Sequence, residues 1–205
     1  DRNQLEQVLR FGINNKLEVR TVINANTVKT TSTGVVGPMR MTGVDPVTFG
    51  IKYNLLEETA FLPHATWLSH VTLPWVAAGD YRAPVQSNLV FHEQRLMLEK
   101  SLTTRLGIAS NIGVSGGLAG SNGFISDGMF SLAAGYDLGN DFGIYVEYFS
   151  EWFWAGSQFY NTPYFDGGFT KLLSNDLQLD VYAGLNLSTY TNANLPTTGI
   201  FIGTG

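Results

Sequence analysis

Over most of its length this chain alternates apolar and polar residues one for one, a period that dictates extended strands with two chemically different faces. Residues 16–24 read Lys-Leu-Glu-Val-Arg-Thr-Val-Ile-Asn. Leu17, Val19, Thr21 and Ile23 share one face, Lys16, Glu18, Arg20 and Asn24 share the other, and Val22 is the exception. Residues 47–55 set Val47, Phe49, Ile51, Tyr53 and Leu55 against Thr48, Gly50, Lys52 and Asn54. Residues 177–187 set Leu177, Leu179, Val181, Ala183, Leu185 and Leu187 against Gln178, Asp180, Tyr182, Gly184 and Asn186. No segment shows a comparable helical period, so the expected class is all-β.

Alternation also suits a soluble sandwich, and composition separates the two cases. Only 14% of the 205 residues are charged, against roughly 25% in an ordinary soluble domain. The polar faces often carry glycine, small residues or tyrosine, as at Gly107, Ala109, Asn111 and Gly113. A water-facing exterior built this way is poorly solvated. The expected fold is therefore an antiparallel up-and-down transmembrane β-barrel, lipid-facing on its apolar side and polar within. Leu17, Val19, Ile23, Phe49, Ile51, Leu96, Leu98, Phe130, Leu132, Ile144, Val146, Leu179, Val181 and Leu185 are expected to meet lipid. A mean hydropathy of +0.03 and the lack of any apolar run near ~18 residues exclude a helical membrane bundle. The net charge of −5 offers no basic stripe for nucleic acid. With no cysteine, disulfides, thiolate zinc sites and cysteine nucleophiles are excluded.

Eleven strands are predicted, over 5–13, 16–25, 47–55, 63–73, 92–102, 105–115, 124–138, 142–151, 163–172, 177–188 and 197–205. Most odd-to-even joins are tight, at Asn14-Asn15, Thr103-Thr104, Gly139-Asn140-Asp141 and Ser174-Asn175-Asp176, with a longer one at 56–62. Most even-to-odd joins are long, at 26–46, 74–91, 152–162 and 189–196, with a shorter glycine-rich one at 116–123. Short periplasmic turns and longer extracellular loops are the arrangement of outer-membrane barrels. The expected location is an outer membrane, with the lipid bilayer as the main partner. Bacterial single-chain barrels usually have an even strand number, so about twelve strands are expected, one of them ahead of Asp1. On this reading residues 1–205 are one barrel domain trimmed at both ends.

The segment Leu9-Arg10-Phe11-Gly12-Ile13-Asn14-Asn15-Lys16-Leu17-Glu18-Val19-Arg20 resembles a hairpin, L-R-Y-G-L-T-D-R-L-E-L-R, of the outer-membrane barrel family associated with the MetA pathway of phenol degradation, also described as transporters. The similarity continues in Gly50-Ile51-Lys52-Tyr53, in Leu102-Thr103-Thr104-Arg105 with Asn111-Ile112-Gly113, and in Glu147-Tyr148-Phe149. It ends in Asp166-Gly167-Gly168 and Gln178-Leu179-Asp180. Phe11 stands where the family has Tyr, and Asn15-Lys16 where it has Asp-Arg. The resemblance implies a Gram-negative outer-membrane barrel carrying small, hydrophobic or aromatic compounds; it implies no catalytic set.

Parity also sorts the charges. Arg10, Arg20, Lys52 and Arg95 are expected to project inward from the N-terminal strands, and Glu147, Asp166 and Asp180 from the C-terminal ones, with Glu151 near the rim. In a closed barrel of about twelve strands the two sets line opposite walls, although Glu6, Glu18 and Glu99 sit beside the basic residues. Such walls either set a field across an open pore or bridge a filled lumen with ion pairs. The aromatic stretch from Trp152 and Trp154 to Phe159 and Tyr160 reads as an interfacial girdle. Its sharper reading is an apolar pore-mouth patch that Trp75 and Tyr81 could join.

Catalytic and metal chemistry finds little support. His64 and His70 share a strand face but lie roughly 20 Å apart at about 3.3 Å per residue, too far to share one metal ion. His92 begins the next strand. Ser69 neighbours His70, but alternation sends them to opposite faces. The glycine-rich 116–123 run precedes no helix, so it reads as a loop and not a phosphate cradle. The expected function is a channel or transporter-like barrel for small solutes, with no enzymatic activity, metal or cofactor. The alternatives are a non-transporting structural or accessory subunit of an envelope complex, and an outer-membrane lipid-modifying hydrolase.

Overall fold

The computed structural model describes residues 2–30, 39–80, 90–118, 124–155, 158–174, 177–187 and 199–204. They form an all-β structure of thirteen strands. In chain order these are β1 (Arg2–Gly12), β2 (Leu17–Thr30), β3 (Met39–Val44), β4 (Val47–Leu56), β5 (His64–Leu73), β6 (Ala78–Gly79) and β7 (Phe91–Ser101). There follow β8 (Leu106–Leu118), β9 (Phe124–Gly139), β10 (Phe142–Ala155), β11 (Gln158–Ser174), β12 (Leu177–Asn186) and β13 (Ile200–Thr204). They make one antiparallel, up-and-down sheet in the order β13-β12-β11-β10-β9-β8-β7-β5-β4-β2-β3-β6, with β1 paired to β2. Among the described residues no helix is long and apolar enough to cross a membrane. Among the described residues no ladder closes the sheet upon itself.

All eleven sequence-predicted strands are present, and two more join them: the two-residue β6, paired to β3 through Gly43↔Gly79 and Val44↔Ala78, and β3 itself, which has a local cause. β2 runs on to Thr30, and its second half pairs with β3 from Ala25↔Val44 to Thr30↔Met39. Its first half pairs with β4 from Leu17↔Tyr53 to Val22↔Thr48. β3 and β4 thus follow one edge of β2, interrupted where Ile23 and Asn24 face Asp45, Pro46 and Val47. Pro46 has no N–H to give the ladder, and a bulge forms there. Asp45 repairs it, donating its N–H to Asn24 O at 2.9 Å and accepting from the Asn26 side chain. The expected long loops at 26–46 and 152–162 and the shorter one at 116–123 are therefore partly strand. β8 extends to Leu118, and β10 and β11 continue through Trp152↔Asn161, Phe153↔Tyr160 and Trp154↔Phe159.

Polar side chains cap the backbone of the short turns. Asn14 Oδ1 accepts from the Lys16 and Leu17 N–H groups at 2.8 and 2.9 Å, and Thr103 Oγ1 accepts from Arg105 and Leu106. Gly139, Asn140 and Asp141 all adopt positive φ (83°, 54° and 64°), which closes the β9–β10 hairpin with residue types that tolerate the left-handed region.

By internal contacts the chain forms two compact units, each assembled from three stretches. The first holds Asp1–Asn54, Trp67–Gln94 and Ser115–Ser126; the second holds Leu55–Thr66, Arg95–Val114 and Asp127–Gly205.

Burial runs opposite to that of a water-soluble protein. Ala65 and Leu68 are the buried hydrophobic residues among those described. Asn26, Thr66, Ser131, Ser150, Asp166 and Asn186 are buried polar ones. Along β10, Ile144 and Val146 are exposed while Tyr145 and Glu147 are half-buried. Along β12, Leu177, Leu179, Val181, Ala183 and Leu185 are exposed, while Asp180, Tyr182, Gly184 and Asn186 lie on the more buried face. Of the fourteen residues expected to meet lipid, none is buried.

Candidate functional site

The second unit presents its polar face as a grid that the strand registers define. One row runs Gly135–Tyr145–Gly168–Tyr182–Gly203 across β9 to β13. Glycine and tyrosine alternate strand by strand. A Cβ at Gly168 would lie 2.9 Å from Tyr145 Cε1 and 3.0 Å from Tyr182 Cβ, and one at Gly203 would strike the Tyr182 ring. The tyrosine rings therefore lie flat along the wall in space that glycine leaves, a device by which aromatics cover exposed strand backbone.

The next row runs Ala133–Glu147–Asp166–Gly184–Phe201. Glu147 and Asp166 are direct cross-strand partners. Asp166 is only 7% exposed, and its Oδ1 has no hydrogen-bond partner among the described residues. A Cβ at Gly184 would sit 2.5 Å from Asp166 Cβ, so the aspartate occupies the space beside that glycine. Glu147 is within reach of Ser131, whose hydroxyl accepts from Asn111 Nδ2 at 3.0 Å. Beyond this row, Phe149 stacks on Tyr164 with ring centroids 4.5 Å apart, and Tyr164 and Tyr182 both meet Phe201 edge-on at 6.2 and 6.3 Å. On the far side of the tyrosine row, Asp180 pairs in register with Thr170 and accepts from Gln178 Nε2 at 2.9 Å. Among the described residues of this unit no ion pair engages Glu147, Asp166 or Asp180.

The first unit carries basic residues. Arg10 and Arg20 are direct partners across β1 and β2, and Lys52 faces Glu18 across β2 and β4. Arg20 Nη2 pairs with Glu18 Oε1 at 2.6 Å, a partner two residues along its own strand. The fourth basic residue, Arg95 on β7, belongs to the second unit. His70 lies over Gly50, the residue opposite Arg20, and its Nδ1 is 3.0 Å from Glu93 Oε2. His70, Glu93, Thr48, Thr72, Val22 and Phe91 help line a cavity of ≈ 380 Å³.

Ser69 and His70 do diverge. Ser69 Oγ accepts from Gln94 Nε2 at 2.8 Å, and Trp67 Nε1 donates to Gln94 Oε1 at 2.9 Å, whereas His70 joins Glu93. His64 Nε2 lies 2.9 Å from Thr66 Oγ1. Among the described residues no three His, Asp or Glu side chains converge on a metal-sized point.

Alternation divides the expected pore-mouth aromatics. Trp154 and Phe159 face each other on one side at 5.1 Å, with Trp152 on the same side against Gly128. Tyr160 stacks on Phe153 on the other side at 4.8 Å. Trp75 is an exposed turn residue of the first unit, and Tyr81 lies outside the described residues.

The glycine–tyrosine row was not legible in sequence, because it exists only across strands whose registers are known. The signal that could have found it is the alternation of Tyr and Gly at polar-face positions of successive strands. No protein-family model matches the sequence, and no curated protein matches it.

Proposed function

We propose that this chain is a β-barrel of a Gram-negative outer membrane that passes small solutes, with hydrophobic or ring-bearing compounds as the favoured class. One observation carries the reading: exposed apolar residues and buried polar ones alternate along the same strands. Water penalises such a surface, since soluble monomers rarely expose apolar patches beyond about 300–600 Å², whereas lipid favours it.

Two lysines that parity assigns to the apolar face support the same reading. Lys100 Nζ turns back to Thr59 O and to Glu58 at 3.4 Å. Lys171 Nζ reaches Asn140 O at 2.7 Å and lies 4.2 Å from the centre of the Phe142 ring. Both charges end at connections between strands, where a lipid-facing lysine would snorkel to the interface. Unpaired carboxylates beside small residues on the polar face suit a wetted lumen better than one closed by ion pairs. The resemblance to transporter-like barrels agrees with this.

Liposome swelling with the full-length protein tests the function. Swelling in isosmotic solutions of small neutral solutes is expected, with a cut-off by size. No flux of any solute, from protein shown to be inserted, would favour a non-transporting envelope subunit and overturn the channel reading.

A further inference from the structure

We propose that the polar wall of the second unit is a binding site for organic cations, above all ring-bearing quaternary or protonated amines. The site is centred on Asp166 and Glu147. The proposal rests on the channel reading above for its access route and names the class of solute that this wall selects.

Asp166 is more than nine-tenths buried, yet Oδ1 has no hydrogen-bond partner among the described residues and no cation in its unit pairs with it. A second carboxylate, Glu147, stands directly opposite in register. Two like charges so placed repel, and a bound cation relieves that repulsion. Aromatic rings border the pair on three sides. Tyr145 and Tyr182 occupy the next row, Phe149 and Tyr164 stack in the row beyond, and Phe201 follows Gly184 along the same row. Their π-faces attract cations, and aromatic cages with a nearby carboxylate are how quaternary ammonium groups are recognised. The absence of a third converging ligand among the described residues disfavours a chelated metal ion. A diffuse charge on an apolar body fits better, because its desolvation is modest and the rings contact its carbon surface. An aromatic anion would meet two unpaired carboxylates and be repelled.

The test uses the full chain in two formats. Equilibrium titration of the detergent-solubilised protein with benzyltrimethylammonium is expected to saturate, while benzenesulfonate at equal concentration does not. Asp166→Asn should weaken benzyltrimethylammonium binding by tenfold or more, and Glu147→Gln by severalfold. Each variant is first checked for a cooperative thermal transition no lower than that of the wild type, and if Asp166→Asn fails to fold, Glu147→Gln alone decides. In planar bilayers benzyltrimethylammonium should reduce the current and benzenesulfonate should not. Conductance without benzyltrimethylammonium binding overturns this proposal and leaves the channel reading intact. Binding without conductance supports the site and overturns the channel reading. Equal binding of both probes, or wild-type affinity in both variants, overturns the proposal.

Discussion

Glu147 on β10 and Asp166 on β11 are direct partners in the antiparallel ladder, two carboxylates facing one another with no ion pair to a cation among the described residues of their own unit. A folded chain keeps such a pair where surrounding groups, a bound proton or a ligand offset the repulsion. Asn111 and Ser131 supply part of that on the Glu147 side, where Ser131 is in reach of the carboxylate.

Removing one charge without changing shape should therefore stabilise the empty protein. Glu147→Gln keeps an acceptor for Ser131 and is expected to raise unfolding free energy by about 0.2–1 kcal/mol, the range of a single cross-strand pair. Urea unfolding in lipid or detergent measures it. A loss larger than about 1 kcal/mol would show that the carboxylate, and not just its shape, holds the strands together.

The glycine–tyrosine row makes a steric prediction. At Gly168 an added Cβ would meet Val181 O at 2.5 Å and the Tyr145 ring edge at 2.9 Å. Gly168→Ala should cost about 1–3 kcal/mol, as overpacking does. Gly12→Ala, with nothing within 4 Å, should stay within about 0.5 kcal/mol. Gly203→Ala should also be costly, and less so when combined with Tyr182→Ala, which a double-mutant cycle would detect. Equal effects at Gly12 and Gly168 would contradict the flat placement of the rings.

Glu58, in the turn between β4 and β5, predicts a pH dependence. The Ser101 N–H, 2.9 Å away, holds its carboxyl below the ordinary value, aided by the Ser101 hydroxyl and Lys100. A carboxyl depressed in the folded state stabilises above its unfolded value and loses that contribution as pH falls through the folded one. Stability should thus decline on acidification below about pH 4.5, and Glu58→Gln should flatten the decline. Unfolding midpoints across that interval provide the check, and identical profiles for both proteins would refute the link.

A charge placed on the apolar face separates lipid from water. Val146→Arg should cost about 2–4 kcal/mol in a bilayer if the site lies near the midplane. On a water-exposed surface the same change would stay within about 0.5 kcal/mol. Unfolding measured in lipid vesicles distinguishes these values.

Strand existence and facing were legible in sequence because period two fixes which side chains share a face. That is why Ile144 and Val146 are exposed, and Glu147 and Asp166 are more buried, as parity requires. Two things escaped for physical reasons. From Trp152 to Tyr160 both faces are aromatic, so polarity no longer alternates although the strands continue. β3 carries Met39-Arg40-Met41-Thr42, a weak pattern that becomes strand because β2 extends past Ala25 and offers it an edge. The carboxylate pair and the tyrosine row depend on register, which pairing sets and single-strand periodicity does not.

The chain has no cysteine, so single cysteines can report each position of β10 without background. Spin labels placed in turn at residues 143 to 149 of the protein in bilayers, with relaxation by oxygen and by a water-soluble nickel complex, test the central claim most directly. The account predicts a period of two, with oxygen dominant at Ile144, Val146 and Tyr148 and nickel dominant at Gly143, Tyr145 and Glu147. Uniform nickel accessibility along the strand, or the opposite phase, would contradict it.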